Sequence, residues 1–142
     1  MFEWKKENEL GIASIDAQHK EMFRYANRIY DLLVIRSEES VDFDEINFVV
    51  MELKEYVKFH FRTEEELFER YQYPDANDHI QEHKALMEYM ETLDVNDIIN
   101  QEIEFLKDLL EKLANWVFHH MITTDYLFKE YLVKLGKYNK IV

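Results

Sequence analysis

The sequence predicts an all-α protein: an up-down-up-down four-helix bundle with an N-terminal arm and a short C-terminal helix. Three observations lead there. Only two glycines and one proline punctuate the 142 residues, which favours long helices over tight turns. Four stretches repeat apolar residues at intervals of three and four, the spacing of helices packed at a shallow angle. Polar breaks at 37–40 and 94–96, and Pro74 between them, leave short connections, so consecutive helices run antiparallel.

The elements follow in order. Residues 1–16 show no clear periodicity and read as an arm. A first helix is expected from about Ala17 to Arg36, with the seam His19, Met22, Ala26, Ile29 and Leu33. Asp42 can cap a second helix reaching about Arg70, because its carboxylate can accept the free amide hydrogens of the first turn. Its seam is Ile46, Val50, Leu53, Val57, His60, Glu64 and Leu67. A third helix spans about Ala76 to Leu93, with Ala76, His79, His83, Leu86, Met90 and Leu93 in phase. A fourth runs from about Asp97 to Met121 through Ile103, Leu106, Leu110, Leu113, Val117 and His120. Thr123 or Thr124 can cap a final helix, about 124–135, that ends near Gly136. The whole of 1–142 is expected to form one domain.

Composition narrows the function. Apolar residues make up 47% of the chain, too many for a disordered one. The net charge of −13 repels phosphate backbones and anionic lipid, so neither nucleic acid nor membrane is an expected partner. No apolar run has a membrane-spanning length, and Met1–Glu7 lacks the basic-then-apolar order of a secretory signal. Cysteine is absent, which removes disulfides, thiolate ligands and thiol nucleophiles. These features fit a cytoplasmic protein.

Each apolar seam is interrupted only by histidine or Glu64. His60 and Glu64 are four apart, as are His79 and His83, so each pair stacks on one helix face. In an antiparallel bundle, His19 at the start of the first helix, His60 and Glu64 late in the second, His79 and His83 opening the third and His120 closing the fourth come to one end. His60 lies ten residues before Arg70, so the second helix must overhang the others. His119 is rotated by about 100° from His120 and falls off the seam. A single seam histidine is usually satisfied by a backbone carbonyl, but five with matched carboxylates point to a shared metal. Left without one, these buried groups would be uncompensated.

The pieces GIASIDAQH ending at His19, KFHFRTEEEL with His60 and Glu64, YQYPDANDHIQEH with His79 and His83, and WVFHHMITTD with His120 and Asp125 resemble the hemerythrin family, including its single-domain bacterial members. The resemblance runs from Gly11 to Asp125. It implies two non-haem irons, oxo- or hydroxo-bridged, that bind O2 reversibly. His79, His83 and His120 would hold one iron, His19 and His60 the other, and Glu64 and Asp125 would bridge them. It also implies an O2 pocket of Met22, Phe61, Trp116 and Val117, where comparable members usually carry Leu or Ile at the first position and Leu at the last. An oxygen carrier, store or buffer is therefore expected, acting as a monomer and not as an enzyme. The same scaffold could also serve a di-iron oxidase or peroxidase, a nitric-oxide-handling enzyme, or an O2 or iron sensor. Imidazoles outnumber carboxylates five to two, and fewer anionic ligands should raise the reduction potential and favour binding over oxidation. The step from His120 to Asp125 is five residues, so both reach one centre only if the helix breaks or reorients near Thr123 and Thr124.

Overall fold

The structure is a computed structural model that describes residues 2–35, 42–92 and 103–138. Its helices are α1 (Ala13–Tyr30), α2 (Phe43–Arg70), α3 (Ala76–Glu91), α4 (Ile103–His120) and α5 (Tyr126–Leu135). A 3₁₀ turn occupies Lys6–Asn8, and π-helical segments extend α1 through Asp31–Ile35 and join α4 to α5 through Met121–Asp125. Among the described residues there is no β-strand, in keeping with the all-α bundle. No described helix is long and apolar enough to cross a membrane. The expected polar break at 94–96, and the expected start of the fourth helix at Asp97, lie outside the described residues.

Most of the predicted seam residues are buried, while Ala26, Ala76, Leu113 and Val117 are half-buried and Leu93 lies outside the described residues. Ile46, Val50, Leu53, Val57 and Leu67 of α2 are buried, as are Met22, Ile29 and Leu33 from α1 and its extension, Leu86 and Met90 of α3, and Leu106 and Leu110 of α4. Asp42 caps α2 as expected: its carboxylate accepts the Glu45 amide at 3.0 Å.

Two boundaries differ from the expectation, each for a local reason. Helix α1 starts at Ala13, four residues before the expected Ala17. No side chain caps it from the preceding position. Instead Asp16, inside the first turn, reaches back and accepts the amides of Leu10 at 2.9 Å and Gly11 at 3.0 Å. Gly11 stands at φ +83°, and a Cβ there would collide with the hydroxyl of Tyr138, which itself donates to the Leu10 carbonyl at 2.6 Å. At the other end, neither Thr123 nor Thr124 caps a new helix. Thr123 donates back to the His119 carbonyl, and the chain passes through the π-helical segment without a break.

The apolar interior falls into two clusters. The larger one includes Met22, Val57, Phe61, Leu86 and Leu110. The smaller one joins Leu10, Ile12 and Ile15 from the arm and the start of α1 to Leu67, Phe68, Tyr73, Phe128 and Leu132. The arm is therefore packed structure, and it covers the overhanging end of α2 together with α5. On every helix the polar seam residues separate the two clusters. His19 lies between Ile15 and Met22, and His60 and Glu64 between Val57 and Leu67. His83 lies between Ile80 and Leu86, and His120 and Asp125 between Val117 and Phe128. The polar layer is thus closed off from solvent above and below.

Candidate metal centre

All seven expected ligand residues, the six polar seam residues His19, His60, Glu64, His79, His83 and His120 together with Asp125, are buried and meet in that layer. They form two nests that share both carboxylates. Glu64, His79, His83, His120 and Asp125 offer one set of ligand atoms within 4.8 Å of one another, and His19, His60, Glu64 and Asp125 offer a second. Each carboxylate divides its oxygens between them. Glu64 Oε1 lies 2.8 Å from His60 Nε2 and 3.8 Å from His19 Nε2, whereas Oε2 lies 3.0 Å from His83 Nε2 and 3.2 Å from His79 Nε2. Asp125 Oδ2 faces His19 Nε2 at 3.1 Å, while Oδ1 faces His79 Nε2 at 2.9 Å and His120 Nε2 at 3.0 Å.

The five-residue step from His120 to Asp125 is resolved by the π-helical segment. A π turn bonds i to i+5 and takes one residue more than an α turn, so residues five apart face the same way. His119, next to the ligand-like His120, is exposed. Of the acidic run at 64–66, only Glu64 is buried.

Several of these contacts are close without being hydrogen bonds. His19 Nε2, His60 Nε2, Glu64 Oε1 and both Asp125 oxygens are buried and have no hydrogen-bond partner. His120 Nε2 also lies 3.0 Å from His79 Nε2 and 3.2 Å from His83 Nε2, contacts that are hydrogen bonds only where one ring of a pair carries a proton on Nε2 and the other does not. Such convergence suits cations placed between the nests, because ligand lone pairs point at the ion and not at each other. Imidazole and carboxylate, without thiolate, suit iron. The residues present therefore fit a pair of bound metal ions, with iron among the metals this donor set suits.

Surrounding groups aim the rings. His60 Nδ1 donates to Gln18 Oε1 at 2.7 Å. The Gln18 amide is itself fixed, since its Nε2 donates to Thr63 Oγ1 at 3.1 Å and that hydroxyl donates to the Phe59 carbonyl at 3.1 Å. The relay places the His60 proton on Nδ1 and leaves the Nε2 lone pair facing the centre. On the other nest, His120 Nδ1 donates to Glu82 Oε2 at 2.9 Å, and Thr124 Oγ1 donates to the same oxygen at 2.6 Å. The sequence reading missed Gln18 and Glu82. Gln18 carries no signal beyond adjacency to His19. Glu82 lies three residues after His79 on the third helix, a spacing that a search for ring-orienting carboxylates could have used. Replacing Gln18 by Leu removes the acceptor for His60, and metal affinity at the two-histidine nest should fall by roughly 10- to 100-fold. Competition with a chromophoric chelator measures this, and an unchanged affinity would remove Gln18 from the site.

The electrostatics of the metal-free site follow from burial and pairing. Burial pulls the His19 and His120 imidazoles down, but Asp125 and Glu64 outweigh it and raise His19 to about 9 and His120 to about 11. His79 is raised by the same carboxylates against its burial. His60 is lowered, because burial dominates there. Burial pushes Glu64 and Asp125 up, yet the surrounding histidines hold both below the usual carboxylate range. The groups expected to lie uncompensated without metal thus compensate one another as ion pairs.

Aromatic rings complete the enclosure. Phe61 stacks on His83, with centroids 3.8 Å apart, and Trp116 stacks on His120 at 4.8 Å. Beside His19, His60 and His120 lies a small cavity of about 10 Å³. All four expected pocket residues, Met22, Phe61, Trp116 and Val117, line it, joined by Val57, Leu86 and Met121.

A helical bundle that buries two carboxylate-sharing nests of histidines has the build of a metal-binding protein. The family model described as Hemerythrin HHE cation binding domain matches residues 10–132, and the chain belongs to the hemerythrin family. A bacteriohemerythrin of Clostridium acetobutylicum is 34% identical over 133 residues, covering 93% of this chain and 99% of the relative. A bacteriohemerythrin of Campylobacter jejuni is 28% identical over 81% of this chain and 75% of its own length. A hemerythrin-like protein of Naegleria gruberi is 27% identical, covering 90% of this chain and 91% of the relative.

Proposed function

We propose that this chain binds O2 reversibly at a pair of iron ions and serves in the cytoplasm as a monomeric carrier, store or buffer of O2, with no catalytic turnover. In this reading His79, His83 and His120 would hold one iron, His19 and His60 the other, with Glu64 and Asp125 serving both. When bound, the irons supply the electrons for the reversible uptake of O2. The observation that carries the reading is the apolar cavity beside the nest with fewer ligands. Its walls offer no titratable group other than the three histidines at its base.

The chain's own residues do the rest. Glu64 and Asp125 fix the two nests against each other by dividing their oxygens between them. Gln18 and Glu82 hold the His60 and His120 rings in their tautomers. Met22, Phe61, Trp116 and Val117 present hydrocarbon to a small apolar molecule and exclude the water and protons that would turn binding into net reduction of O2.

The test is a cycle. Protein reduced without air is titrated with O2 and then stripped of it, while visible absorption is followed. The reduced spectrum should return over several cycles. Release of hydrogen peroxide on first contact with O2 would replace the carrier reading with an oxidase. Trp116→Ala opens the wall to water and should speed irreversible oxidation by about tenfold or more at unchanged iron content.

A further inference from the structure

A second cavity of about 40 Å³ lies in the bundle next to the first, and its lining is hydrocarbon. Met22, Val57, Leu86 and Val117 line both this cavity and the small one at the histidines, so the two share a wall of hydrocarbon side chains. All but one of its lining residues come from the four bundle helices; the exception is Phe2, from the arm. Phe2 is half-buried, and a single side chain holds its main chain in place. The Phe2 amide donates to Asn27 Oδ1 at 2.8 Å, and Asn27 Nδ2 donates to the Phe2 carbonyl at 2.9 Å.

We propose that this inner cavity is a second binding site, for a small apolar gas molecule, and that Phe2, clamped by Asn27, is the stopper between it and solvent. Three physical points support this. The cavity at the histidines has room for about one water-sized molecule, whereas the inner one holds several times that volume. An apolar cavity with no hydrogen-bonding groups stays dry and takes apolar guests such as xenon. The reciprocal pair of hydrogen bonds between the Phe2 main chain and the Asn27 side chain fixes where the Phe2 ring sits. A gas molecule would pass Phe2, occupy the inner cavity, and reach the histidine layer past Met22 and Val117. The identity of the gas as O2 rests on the proposed function; the cavity and its stopper do not.

The test uses two probes that need no iron chemistry. Crystals of the full chain pressurised with xenon should show a xenon atom among Met22, Leu110 and Ala114. In solution, dissolved O2 should quench Trp116 fluorescence in the metal-free full chain carrying Trp4→Phe. Ala114→Leu fills the inner cavity without touching the histidine cavity, and should abolish the xenon site and lower the quenching constant severalfold. Asn27→Ala releases Phe2, and should keep the xenon site and raise the quenching constant severalfold. An inner cavity without xenon overturns the site. A quenching constant unmoved in Asn27→Ala, with xenon still bound, overturns the stopper. Xenon binding as expected, in a protein that takes up no O2 reversibly, leaves this inference standing and sinks the proposed carrier function.

Discussion

Glu64→Gln should reduce iron from about two per chain to one or fewer while leaving the bundle folded. The wild-type carboxylate serves both nests, with Oε1 toward His19 and His60 and Oε2 toward His79 and His83. The amide has the same shape, but only its oxygen can act as a ligand, so one nest must lose its share. Metal analysis after anaerobic loading with ferrous iron gives the count, and far-ultraviolet circular dichroism checks the fold. The companion pair His120→Ala and His119→Ala separates position from composition. The first should lose metal, and the second, whose ring is exposed, should not. Thermal stability supplies a second readout. Iron at 1,000 times its dissociation constant should stabilise the folded chain by about 4 kcal/mol, roughly 10–15 °C at this size, and His120→Ala should forfeit most of that. Two irons retained in Glu64→Gln would show that the carboxylate is not shared, and the assignment of two nests would fail.

Much of this site was legible because helical periodicity is local. His60 with Glu64, and His79 with His83, announce a common face through spacing alone, and short connections bring the ends of antiparallel helices to one level. The apolar seams of α1 to α4 were legible for the same reason. What escaped the sequence depends on contacts between distant segments. Leu10 sits in irregular chain, yet it packs with Phe128 and Leu132 more than a hundred residues later; Ile12 and Ile15 step by three and four into His19, a continuation of the first seam that was passed over when they were assigned to the arm. The start of α1 was missed because no side chain caps it from the preceding position, and Asp16, inside the helix, instead ties down the chain before it through the amides of Leu10 and Gly11. The Met121–Asp125 segment suggested a break, since two adjacent threonines in a helix more often mark a cap. The structure instead widens the helix by one residue and keeps it continuous, which leaves Asp125 in line with His120. Gln18 was invisible because its role depends on His60, forty-two positions away.

Without metal, the protein should be most stable in mildly acidic solution and should weaken as the pH rises through 9. His19, raised to about 9, and His120, raised to about 11, hold protons more tightly folded than unfolded. Their contribution is fully present below about pH 6.5, the unfolded histidine value, and is lost as the pH climbs through the folded values. Glu64 and Asp125 act in the opposite direction. Both are held below the usual carboxylate range, so their contribution is present above about pH 4 and disappears only in stronger acid. His60, lowered by its burial, contributes fully only above about pH 6.5 and loses that contribution as the pH falls below it, so the greatest stability lies near pH 6.5, and the loss from there to pH 9 should amount to a few kcal/mol. Chemical denaturation of the iron-free chain at a series of pH values measures it. Iron loading should flatten the alkaline side of that curve, because bound ligands carry no proton to lose. The same linkage requires that loading at pH 8 displace about two protons per chain, one each from His19 and His120, readable in weakly buffered solution with an indicator dye. Ordinary imidazoles would already be neutral at that pH. An alkaline limb that is flat without metal, together with no proton release on loading, would mean that the carboxylates do not hold protonated histidines in the empty centre.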